Sequence, residues 1–313
     1  MLVNGLLFNS EAWHSVSQDD ISSLKKIDEA LLRFLLGSHA KAPLETLYLE
    51  SGAIPIQFIV ASRRINFLQT ILRREEEELT RRVLTAQLED PCNGDFAELV
   101  RKDLNDIGLQ FDLFFVASTG VIEYRKIVKN KIRDAALKHL KTLQQTHIKV
   151  NRIIYDKLET QPYLKSHIFS NEGTELLFAL RTRTARTFKG NFSHLYGGKT
   201  ECPLQCWDPA LYEPALEDSQ EHILVCKKVK VDSTTISNGK VTYDDLFADV
   251  YRQNEAVALY TLLIEEREKL IKERDSNPPG DNLDPSTGGR CCCSDALFTG
   301  EPPTCIECIT IGK

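Results

Sequence analysis

EYRKIVKNKIRDAALKHLKTL, residues 123–143, decides how this chain is read. Its apolar members Tyr124, Ile127, Val128, Ile132, Ala135, Ala136 and Leu140 recur at three- and four-residue intervals. That period lines one side of an α-helix and no side of a strand, so the spacing predicts a long helix with one face inward. Lys126, Lys129, Lys131, Arg133, Lys138 and Lys141 stud the same stretch.

Working outward, the helical period recurs. Ile21, Leu24, Ile27, Leu31, Phe34 and Leu35 share a face, with Ser17 placed as cap and Gly37 as terminator. A second helix follows Pro55, with Ile56, Ile59, Val60, Phe67, Leu68, Ile71 and Leu72 inward. Beyond it, Arg73, Arg74, Arg81 and Arg82 flank the acidic run Glu75–Glu78, which reads as a solvated helix with i,i+4 pairs. Asp95 caps an amphipathic stretch holding Phe96, Leu99, Val100, Leu104 and Ile107. Further helices are expected over Thr174–Thr184 and Tyr243–Arg274. Period-two alternation is confined to a short stretch near Val229, so the fold class is mostly α. Residues 276–313, rich in Pro, Gly, Ser and Asp, read as a disordered tail.

Across 313 residues, 42% are apolar and 27% charged, ordinary values for a soluble globular protein. No apolar run approaches the roughly 18 residues of a membrane helix, so no membrane partner is expected. The N-terminal stretch has neither the basic start nor the apolar core of a secretion signal. Nine cysteines, an odd number without such a signal, favour reduced thiols and an intracellular place, nucleus or cytoplasm.

The net charge of −6 conceals a strong polarity. Residues 121–199 hold 16 Lys and Arg against 6 Asp and Glu, a block of +10, which leaves −16 on the remainder. Arg181, Arg183, Arg186 and Lys189 extend the block in RTRTARTFKGNF, interleaved with Phe188, Phe192 and Tyr196. Clustered cations release counterions from phosphate backbones, and aromatics can stack on bases. A solvated helix face and a set of core aromatics would leave the same pattern.

The sharpest local feature is ECPLQCWDPALYEPALEDSQEHILVC, residues 201–226. Cys202 and Cys206 are separated by three residues, and His222 and Cys226 by three more, after a 15-residue gap. Three thiolates and an imidazole suit tetrahedral zinc, and four protein ligands leave no open position, so a structural ion is expected. His222 and Cys226, four apart, can share one helical face. In the tail, Cys291–Cys293, Cys305 and Cys308 lack a histidine and an apolar scaffold, and read as adventitious thiols.

Two blocks of this sequence resemble non-LTR (LINE-type) retrotransposon reverse transcriptases. LLFNSEAWH (Asn9, Ser10, Glu11, Trp13) and residues 24–72, with Arg33, Gly37, Pro43, Leu47, Glu50, Gly52, Pro55, Arg63, Arg64 and Phe67, look like the family's thumb. LLFALRTRTARTFKGNF, CPLQC and DSQEHILVC look like the region leading into its C-terminal CCHC zinc motif. The resemblance covers about residues 1–275, and the Arg-rich helix with the CCHC block is its most specific part. Gln205 is a departure, since the family commonly spaces this cysteine pair by two.

The resemblance implies a thumb-like helical region over 1–90 and a basic helical connection over 91–200. A CCHC zinc module over 201–230, a C-terminal helix over 231–275 and the tail over 276–313 complete the organisation. It implies binding of template RNA or target DNA by Arg63 and Arg64 from the thumb, and by Arg181, Arg183, Arg186, Phe188 and Lys189 from the second region. Zinc would be structural. The family's polymerase aspartates belong on the N-terminal side of the thumb, so no catalysis and no small-molecule substrate are expected of this piece. Tyr243-Asp244-Asp245 superficially resembles the polymerase turn, but it starts an amphipathic stretch, where its carboxylates face a helix dipole. Two other readings stay open: a zinc-stabilised protein-interaction module of a domesticated element, and a decayed reading frame.

Overall fold

The computed structural model describes residues 7–12, 18–38, 42–147, 150, 153–185, 188, 200–206, 216–231 and 241–276. The chain divides into two compact units, 1–267 and 268–313. Of the second, only 268–276 is described, the end of a helix. The described residues are mostly helical, as the periodicity requires. Their one isolated β-bridge joins Glu201 to Glu217, and Val229–Val231 form no strand. The expected tail, 277–313, lies outside the described residues.

The helices, in chain order, are α1 (Gln18–Leu35), α2 (Leu44–Ser51), α3 (Ile56–Leu72), α4 (Leu79–Glu89) and α5 (Phe96–Asp106). Then come α6 (Leu113–Ser118), α7 (Val121–Gln145), the short α8 (Pro162–Lys165), α9 (Asn171–Arg181), the single turn α10 (Gln220–Ile223) and α11 (Val250–Ser276).

Helix α3 is the hub. It packs against α1, α4, α5, α6 and α7, and it buries Ile56, Val60, Ala61, Ile65, Leu68, Ile71 and Leu72. A helix surrounded on most sides needs more apolar surface than one stripe supplies. The core of Ile65, Leu68, Leu84, Val100, Leu104, Tyr124, Val128 and Ile132 joins α3, α4, α5 and α7. The boundary expected at residue 90 therefore runs through a shared core. A second cluster gathers Leu32, Leu47, Tyr48, Leu140, Tyr155 and Phe178, so α7 spans both. Its buried row Tyr124, Val128, Ile132, Ala136 and Leu140 steps by four, as the spacing predicts.

Local chemistry explains most ends. Asp95 accepts the Glu98 N–H at 2.7 Å, the cap expected for α5. Gly37, with φ +58°, ends α1, and Ser38 N–H donates back to the Arg33 carbonyl at 2.9 Å. Ser17, the expected cap, lies outside the described residues. Gly52 ends α2 with φ +68°, and a Cβ there would stand 2.2 Å from the Thr160 nitrogen. Only glycine meets both demands.

Three elements differ from expectation. Helix α1 turns Leu32, Leu36 and Asp28 inward and leaves Ile27, Phe34 and Leu35 exposed. Its rotation is set by a tertiary partner: the Tyr48 hydroxyl donates to Asp28 at 2.6 Å. Burial raises the Asp28 pKa, and that bond only partly offsets it. Residues Glu75–Glu78 form a turn between α3 and α4 and not a helix, although Arg74 and Glu78 do pair at 3.0 Å. The helix expected over 243–274 is two pieces, a 3-10 turn at Tyr243–Phe247 and then α11. Asp249 divides them, accepting the N–H groups of Tyr251 and Arg252 at 2.9 and 3.1 Å.

Candidate functional site

The sequence places Cys202 and Cys206 on a tight loop. Gln205 takes the left-handed conformation, φ +48°, and donates its N–H to the Cys202 carbonyl at 3.0 Å. This turn accommodates the three residues between the two cysteines. Ser219 caps α10 by accepting the His222 N–H at 3.2 Å, and that turn carries the imidazole. Cys226 follows just beyond the helix end. Two backbone bonds close the base of the module: Cys202 N–H to the Leu216 carbonyl at 2.8 Å, and Asp218 N–H to the Thr200 carbonyl at 2.7 Å.

The four candidate ligands converge. Cys202, Cys206, His222 and Cys226 are all buried, and their ligand atoms lie within 4.8 Å of one another. A tetrahedral ion with bonds of about 2.3 Å to sulfur needs ligand separations of about 3.8 Å, so modest contraction suffices. Cys206 Sγ already sits 3.1 Å from His222 Nε2. The Cys226 thiol is pulled down to about 3, first by the hydrogen bond from Cys202, against its burial, and further by His222 and the N–H groups of Lys228 and Val229. Cys202 is pushed up by the same pairing and by burial, and Cys206 chiefly by burial. A thiolate with backbone donors is a ready ligand, and the donor set fits a metal ion. Four buried protein ligands would by themselves complete a tetrahedral set around an ion.

The module is fastened to the helical body by buried polar contacts. Arg267, on α11, holds both oxygens of Asp218 at 2.8 and 2.6 Å. Gln220 donates to the Leu180 carbonyl at 2.6 Å, and the Tyr260 hydroxyl donates to the Gln220 carbonyl at 2.9 Å. No spacing signal in the sequence marks Arg267 or Asp218 as partners.

The residues expected to touch nucleic acid scatter. Arg64 is internal, making a bidentate pair with Asp103 at 2.7 and 2.9 Å. Arg181 is 4% exposed. It donates to Glu50 at 3.0 and 2.9 Å and to the Leu246 carbonyl at 2.8 Å, and the Tyr155 hydroxyl shares the same Glu50 oxygen. Phe188 is fully buried, under the guanidinium of Arg267. These three are corrected: a buried charge demands a buried countercharge, and an enclosed ring cannot stack on a base. Arg183 pairs with Glu221 and lies over the Tyr243 ring, and Arg63 donates to the Leu7 carbonyl. Arg186 and Lys189 lie outside the described residues.

Cations that do face solvent lie on α7. Arg125, Lys126, Lys129, Lys131 and Lys138 are exposed, and none of the helix's seven Lys and Arg has an ion-pair partner among the described residues. Arg125, Lys129 and Arg133 repeat every four residues, a like-charge row that costs helix stability about 0.2–0.5 kcal/mol per pair. Arg125 was absent from the expected set, although its spacing was visible.

No family model, curated protein or solved structure matches the chain. Among the described residues, no helix is long and apolar enough to cross a membrane.

Proposed function

We propose that this chain is a nucleic-acid-binding, polymerase-lacking piece of a LINE-type reverse transcriptase. Its phosphate-contacting surface is the outer side of α7, and zinc is the structural ion at Cys202, Cys206, His222 and Cys226. One observation carries the reading: Arg125, Lys126, Lys129 and Lys131 are exposed on one helix, and none has an ion-pair partner among the described residues. An isolated like-charge row opposes folding, and phosphate relieves it by releasing counterions. The motif resemblance at residues 6–72 and 176–226 agrees in kind. Three thiolates with an imidazole favour zinc over the oxygen-loving divalent ions.

Binding without chemistry is proposed because Asp245 of the Tyr-Asp-Asp run is engaged. Its carboxylate accepts the Thr242 N–H at 2.6 Å and a guanidinium N–H of Arg252 at 3.2 Å. The test is titration of the full chain with a fluorescent RNA–DNA hybrid at two salt concentrations, beside metal analysis of the purified protein. Affinity is expected to fall steeply with salt, and zinc to approach one equivalent. A flat salt response sinks the nucleic-acid reading and favours a protein-interaction module. Metal content near zero sinks the zinc assignment.

A further inference from the structure

A cleft of the helical body carries a second concentration of charge, on the other flank of α7. It holds about 650 Å³. Lys25 of α1, Lys102 of α5 and Lys138 of α7 line it, together with Gln57, His139 and Thr142. The three lysines come from three helices, so no single helical face explains their meeting. None has an ion-pair partner among the described residues. Arg64 also reaches the cleft, but Asp103 already neutralises it. Asp106 is the one carboxylate on the wall not committed to such a pair. The cleft thus keeps a positive surplus. His139 packs edge-on against Phe58 at 5.8 Å, and its pKa is lowered by burial first and by nearby Lys25 second.

We propose that this cleft is a binding site for an organic phosphate. Three lysines line one space, and a single carboxylate leaves most of their charge without a counterion there. A phosphate ester or diphosphate offers two or more charges and several acceptor oxygens, and lysine meets such an ion as a compact point charge. The ligand is organic because apolar side chains, Ile21, Val60, Leu99 and Ile107, share the wall with the lysines. The volume lies within the usual range for small-molecule sites, about 300–1,000 Å³. The phosphate can arrive on a free nucleotide or sugar phosphate, or within a nucleic-acid backbone.

The experiment uses the full chain with two probes: ADP, followed by calorimetry, and a single-stranded RNA dodecamer, followed by anisotropy. Lys102→Gln and Lys138→Gln are each expected to weaken ADP binding by about tenfold, as loss of a charge-assisted contact implies. Lys272→Gln, at an exposed position near the end of α11 and outside every site described, is the control and is expected to leave ADP binding unchanged. Competition between the dodecamer and ADP would assign the cleft to backbone phosphate, and independent binding would assign it to free organic phosphate. Absence of saturable ADP binding overturns the proposal, as does equal weakening by Lys272→Gln. Melting curves for each variant separate loss of the site from loss of the fold. Because Lys126 and Lys129 serve the outer surface and Lys102 and Lys138 the cleft, either reading can fail while the other stands.

Discussion

Arginines inside this protein and cations on the outer side of α7 look alike in sequence but differ in what surrounds them. Arg64, Arg181 and Arg267 each donate two hydrogen bonds to a buried carboxylate. Arg125, Lys126 and Lys129 reach none among the described residues. Burying a guanidinium is tolerable only when a carboxylate is buried with it, since the cost of removing either ion from water is several kcal/mol. Positive charge in the first group therefore belongs to the architecture. In the second it remains available to a partner.

The largest effect expected is from Arg181→Ala. It strands Glu50, which is fully buried, and should cost about 3–5 kcal/mol in a denaturant melt. A loss below about 1 kcal/mol would place Arg181 among ordinary surface cations. Replacing Glu50 and Arg181 together with methionine is expected to recover much of that loss, although the Tyr155 hydroxyl then needs a new acceptor. Arg267→Ala should cost a few kcal/mol by removing the two charge-assisted hydrogen bonds to buried Asp218. It should also let a chelator strip the metal faster, because Asp218 anchors the loop next to His222. Unchanged metal release would separate the brace from the site.

Charge reversal outside should do the opposite. Lys126→Glu with Lys129→Glu is expected to shift stability by no more than about 0.5 kcal/mol while lowering affinity for an RNA–DNA hybrid at least about tenfold. A large stability loss with unchanged binding would erase the distinction between the two groups. Arg183 lies between them. It occupies the left-handed position after α9, φ +55°, and holds Glu221 at the edge of the module. Arg183→Gly relieves about 1 kcal/mol of backbone strain and removes a partly exposed pair worth about 0.2–1 kcal/mol. The variant also gives up the contact with the Tyr243 ring, worth about 0.5–1 kcal/mol, so the melting midpoint should fall slightly.

What could be read in the sequence was local. The α7 row, the Asp95 cap, the Gly37 terminator and the Cys/His pairs all lie within a few residues of their causes. The rotation of α1 was not legible, because Tyr48, on another helix, draws Asp28 inward. Nor were the fates of Arg64 and Arg181, whose partners lie 39 and 131 positions away. The Asp249 break was visible in principle, since Asp followed by an apolar helical period is a start signal. A continuous amphipathic pattern overrode it.

Glu50 and Arg181 have a consequence for the order in which this chain can be made. The carboxylate leaves the ribosome 131 residues ahead of the guanidinium that neutralises it. At about 5–20 residues per second, roughly 7–26 seconds separate the two. Throughout that interval α2 carries an ionised side chain that its final packing would seal from water. The first helices should therefore stay loosely assembled until α9 has been synthesised, and interruption anywhere before residue 181 should leave a nascent chain that resists closure.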